Sequence, residues 1–119
     1  MTDPPRSRLR LENIEGVIVV HFVDDKIVSD DTIEAVAGEL FELVDQAGET
    51  RLLLSFRNVS LLSSSALASL MNFDKRVKQQ RGTLKFCGLK PVQLELLRVT
   101  GLDRVFQLYP DEQSALDTF

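Results

Sequence analysis

The chain has 119 residues, the size of one domain. Its 44% apolar and 27% charged content match a globular chain and exclude a disordered, collagen-like or disulfide-framework protein. They also argue against a multi-domain enzyme with its own cofactor domain. A formal net charge of −4 gives no global attraction to nucleic acid or anionic lipid. The one cysteine, Cys87, has no partner for an internal disulfide. No apolar run approaches the ~18–20 residues of a membrane span, and the N-terminus carries no apolar leader pattern, so the expected location is the cytoplasm.

Residues 1–7, with Pro4-Pro5, read as a disordered tail ahead of a single domain over 8–119. A first strand is expected over Arg8–Asn13, where Leu9 and Leu11 alternate with charged residues. Glu15-Gly16 reads as a tight turn. The run Val17–Val23 is β-branched and almost continuously apolar, the pattern of a strand covered on both faces. Residues 24–29 read as a loop. A helix follows, with Asp31 and Glu34 at capping-box spacing and Ser29 or Asp30 as alternative caps. Ile33, Val36, Ala37, Leu40, Val44 and Ala47 form its apolar stripe, and Gly48 its stop.

Arg51–Phe56 contains a buried strand, Leu52–Leu54. Asn58–Ser65 reads as a loop. A second helix starts near Ser64 or Ser65, with Leu67, Leu70, Met71 and Val77 on its core face and Phe73 flanking, and Gly82 ends it. Thr83–Cys87 is a further strand. Pro91 suits the first position of a third helix that stops at Gly101. A short strand at Phe106–Leu108 and a terminal helix after Pro110-Asp111 complete the chain. Strands alternating with helices imply an α/β domain with parallel pairing.

The sequence lacks the glycine-rich phosphate loops and the Gly-x-Ser-x-Gly elbow. His21, the only histidine, lies in a strand and reads as structural rather than as part of a catalytic triad. Cys87 reads as a buried, inert thiol. The carboxylates of the first helix read as a solvated face. No enzyme activity, metal site or cofactor is expected.

The informative segment is Asn58–Leu70. A strand ends, three consecutive hydroxyls follow, and an apolar helix begins. A helix N-terminus carries unpaired N–H groups and partial positive charge, which suit serine caps and a phosphate group alike. Spacing alone leaves both readings open. Val59-Ser60-Leu61-Leu62-Ser63-Ser64-Ser65-Ala66-Leu67-Ala68-Ser69-Leu70 resembles the strand–loop–helix junction of STAS domains, and in particular that of stand-alone bacterial anti-sigma-factor antagonists. That pattern reads Val-Ser-Φ-Φ-Asp-Ser-Ser-Gly-Leu-Gly-x-Leu, where Φ is apolar. The chain departs from it at Ser63, in place of aspartate, and at Ala66, in place of glycine.

The resemblance implies a STAS-type mixed β-sheet of four to five strands with about four helices. It implies a regulatory binding protein whose partner is an anti-sigma factor that is also a histidine-kinase-like serine kinase. Phosphorylation would switch it off, with Ser65 as the acceptor and Ser64 and then Ser63 as fallbacks. The expected partner surface comprises Asp24, Asp25, Lys26, Ser63, Ser64, Ser65 and Ala66. Lys75, Arg76, Lys78 and Arg81 read either as a solvated surface or as a docking face. No nucleic acid or membrane partner is expected, and the protein should be a monomer or weak dimer. A non-phosphorylated scaffold or ligand-binding module in a signalling or transport assembly is the alternative.

Overall fold

A computed structural model of the protein describes residues 7–119. The expected tail therefore lies, but for Ser7, outside the described residues. In chain order the elements are β1 (Leu9–Ile14), β2 (Val17–Phe22), β3 (Lys26–Ile27), α1 (Asp30–Asp45), β4 (Arg51–Ser55) and β5 (Leu61–Leu62). Then come α2 (Ser64–Gln79), β6 (Thr83–Cys87), α3 (Pro91–Thr100), a 3-10 turn at Leu102–Arg104, β7 (Gln107–Tyr109) and α4 (Glu112–Leu116). The main sheet has five strands in the order β1-β2-β4-β6-β7. Only the β1–β2 pair is antiparallel; β2, β4, β6 and β7 run parallel.

The β1–β2 hairpin turns at Glu15 (φ 53°) and Gly16 (φ 88°). Two consecutive left-handed residues match the right-handed twist of the strands, and glycine adopts that conformation without steric cost. Asn13 Oδ1 accepts the Gly16 N–H at 3.0 Å.

Strand alternation divides the sheet into two faces. Ile18, Val20 and Phe22 of β2, Leu52 and Leu54 of β4, and Leu84 and Phe86 of β6 form the main core together with α1, α2 and Leu97 of α3. Val17, Val19, Leu53 and Cys87 face the other way, against Ala115 of α4. β2 and β4 are thus covered on both sides, and this is why their sequences are continuously apolar.

The mixed sheet and the four α-helices agree with the expected α/β class. Three local expectations need correction. Residues 24–29 and 58–65 are not plain loops, because they contain β3 and β5, which pair in parallel. Phe73 is fully buried and edge-on to Phe41 at 5.6 Å, so it belongs to the core face rather than its flank. Ala47 lies beyond the end of α1 and is exposed. At the start of α1, Ser29 is the cap, accepting the Thr32 N–H at 3.3 Å.

Candidate partner-binding site

The serine segment is held from both sides before α2 begins. Buried Val59 anchors the chain after β4. Lys90, at the start of α3, donates through Nζ to the carbonyls of Phe56 (3.2 Å) and Arg57 (2.9 Å). Gln93 is buried and donates through Nε2 to the Val59 carbonyl at 3.1 Å, while its Oε1 accepts the Lys90 N–H at 2.9 Å. Sequence reading missed both residues. The signal was slight: a glutamine three places after a helix cap.

On the other side the segment is tied to residues 25–27. The Asp25 carbonyl accepts the backbone N–H of Ser60 (2.7 Å) and of Leu61 (3.2 Å), as well as the Ser60 hydroxyl (3.1 Å). The Ser63 N–H donates to the Ile27 carbonyl at 3.3 Å. The short β3–β5 ladder therefore brings the loop after β2 and the serine segment into one surface.

The three serines differ in role. Ser63 is the cap of α2: its backbone is extended (φ −92°, ψ 167°) and its hydroxyl accepts the Ala66 N–H at 3.1 Å. Aspartate and serine are comparable caps, so the departure from the family pattern at this position keeps the capping function. Ser64 and Ser65 are the first two helical residues and are exposed. Neither hydroxyl has a hydrogen-bond partner among the described residues. The first turn of α2 carries no acidic residue, so its N-terminal partial charge is not neutralised locally.

Ala66 is only 3% exposed and packs into the main core. Its methyl is turned into the core, so little of the Ala66 side chain is offered to a partner. Asp24 is half-buried and pairs with Arg8 at 2.9 Å, whereas Asp25 and Lys26 are exposed. Of the basic residues on α2, Arg76 pairs with Asp45 (3.7 Å) and lies 5.7 Å from the Phe41 ring centre. Lys78 pairs with the buried Asp74 (2.8 Å). Lys75 and Arg81 are exposed.

A hydrolytic triad is not assembled around His21. Ser55 Oγ donates to Glu112 Oε2 at 3.4 Å, and His21 Nδ1 lies 4.0 Å from that same oxygen. No hydrogen bond joins the Ser55 hydroxyl to His21 among the described residues, so no imidazole is placed to take its proton. Cys87 is buried, and burial pushes its thiol up to about 11, which keeps it protonated and unreactive at neutral pH.

Comparison with known proteins agrees with this arrangement. The family model for the STAS domain matches residues 8–115. The chain is 26% identical over 112 residues to BtrV of Bordetella bronchiseptica, covering 94% of each protein. It is 24% identical over 109 residues to the anti-sigma F factor antagonist of Paenibacillus polymyxa, covering 92% of each. The solved structure of an anti-sigma-factor antagonist (STAS) domain protein from Planctomyces limnophilus superimposes with a TM-score of 0.80 at 24% identity, over 92% of this chain and 96% of that one. The chain belongs to the STAS domain family. Among the described residues no helix is long and apolar enough to cross a membrane.

Proposed function

We propose that the protein is an anti-sigma-factor antagonist: it binds an anti-sigma factor that is also a serine kinase, and phosphorylation of Ser65 ends binding. The observation that carries this reading is the position of Ser65. Its hydroxyl is exposed and unpartnered among the described residues, on the first turn of α2, three residues after the β5 strand that pairs with β3. The names of the curated relatives support antagonism as the class of activity. Ser64 is the first fallback as acceptor. Ser63 is the second, because its hydroxyl is already engaged as the cap.

A phosphoserine carries about −1.5 to −2 charges and a tightly held hydration shell. At the second position of a helix it interacts favourably with the helix dipole. The modification therefore leaves α2 folded and acts on the interface, where a buried dianion must lose water or face carboxylates of the partner. The test is incubation with candidate anti-sigma-factor kinases and ATP, followed by intact mass and site mapping. One phosphate on Ser65 is expected. Full phosphorylation of a Ser65→Ala variant would show that the acceptor is misassigned. No modification of any of the three serines would favour the scaffold alternative.

A further inference from the structure

On the face of the sheet opposite α1 and α2, three donor side chains from three elements converge. Arg10 lies directly opposite His21 and Glu12 opposite Val19, so Glu12 and His21 are diagonal neighbours on one face of the β1–β2 hairpin. Glu112 reaches the same place from the first turn of α4. Glu12 Oε1 is 2.8 Å from His21 Nε2, and Glu112 Oε2 is 4.0 Å from His21 Nδ1. One donor atom from each residue lies within 4.8 Å of the other two. The His21 side chain is only 14% exposed.

A neutral imidazole has one N–H and one lone pair. With Nε2–H donated to Glu12, the Nδ1 lone pair faces a carboxylate oxygen. Two electron-pair donors then confront each other across a gap too wide for a hydrogen bond. A tetrahedral ion with bonds of about 2.0–2.2 Å needs its two donor atoms roughly 3.3–3.6 Å apart, so binding would draw Glu112 in by about half an ångström. A carboxylate behind the far nitrogen is also the arrangement that orients a metal-binding histidine and raises its basicity. Ser55 Oγ, donating to Glu112 Oε2, fixes the second ligand. Arg10, the cation across the hairpin, is exposed.

We propose that His21 Nδ1 and Glu112 bind a divalent transition ion of the Zn2+ class, with Glu12 orienting the ring and water completing the coordination. Imidazole and carboxylate donors suit such ions rather than the soft, thiolate-seeking ones. The ion would tie α4 to the β1–β2 hairpin. A single proton on His21 is the competing occupant of the gap.

The test uses tag-free protein stripped with chelator and titrated with Zn2+ by calorimetry at neutral and mildly acidic pH. His21 is the only histidine, so its ring signals in an NMR spectrum report the site without ambiguity. The expected result is saturable uptake of one equivalent, with the His21 signals shifting in step and binding weakening at acidic pH. His21→Ala should abolish uptake, Glu112→Gln should weaken it more than about tenfold, and Glu12→Gln should weaken it about tenfold. Circular dichroism would confirm that each variant is folded, and Glu112→Gln alone suffices if His21→Ala is not. His21 signals that follow pH but ignore Zn2+ would assign the gap to a proton and overturn the proposal. Full uptake by Glu112→Gln would overturn it equally.

Discussion

Ser63, Ser64 and Ser65 are chemically identical, yet the backbone gives them different roles. Ser63 turns its oxygen back to the Ala66 N–H, while the other two hydroxyls face outward. Ser63→Ala should therefore lower stability by about 1 kcal/mol, and Ser63→Asp should hold it near that of the parent. Urea denaturation of the three proteins checks this. Cys87 gives a second prediction at the same scale. Burial holds its folded-state pKa at about 11, above the ordinary thiol value of about 9. A thiol harder to ionise in the folded chain stabilises it below the unfolded pKa. That contribution is lost as pH rises from about 9 through about 11. Denaturation at both ends of this window should show the parent losing more stability than Cys87→Ala; equal losses would contradict it.

Among the elements, the smallest strands matter most to the site. β3 and β5 have two residues each, and no periodicity can show in so short a stretch. They form because the Asp25 and Ile27 carbonyls meet the N–H groups of Ser60, Leu61 and Ser63, a tertiary juxtaposition. The longer strands and helices were legible in the sequence because burial on one or both faces imposes a pattern. The serine segment was legible as a motif, but its two supports were not. Gln93 sits in a helix of ordinary appearance, and its role depends on a carbonyl at Val59 that is distant in sequence. Phe73 was misjudged because Phe41, which packs against it, lies on another helix. Gln93→Leu keeps comparable volume but leaves the Val59 carbonyl and the Lys90 N–H without their partners. It should cost about 1–3 kcal/mol. It should also speed hydrogen exchange at Ser60 and Leu61 more than in β6. Uniform acceleration across the chain would mean that Gln93 acts on global stability and not on the serine segment.

Across the whole molecule, one row of rings runs over the main sheet from β2 to the start of β7. Phe22, Phe56, Phe86 and Phe106 follow one another at centroid distances of 4.8, 5.7 and 4.4 Å. Phe56 is fully buried and immediately precedes the segment that leads to the serines. Phe56→Ala should cost about 3–5 kcal/mol, read as a lower midpoint of thermal unfolding. The Cα radius of gyration is 13.4 Å, which agrees with the roughly 13 Å of a compact chain of about 100 residues. In so small and tightly packed a body, a regulatory signal needs no large rearrangement. The switch proposed for Ser65 is accordingly a change of surface charge on a fixed scaffold.

That claim is tested most directly by measuring the affinity of one anti-sigma-factor partner for the unmodified protein and for the protein phosphorylated at Ser65. A hundredfold weakening corresponds to about 2.8 kcal/mol, within reach of one dianion placed in an interface. The account predicts a loss of at least that order, with the circular dichroism spectrum unchanged. Equal affinity of the two forms, with Ser65 shown to be fully phosphorylated, would contradict it.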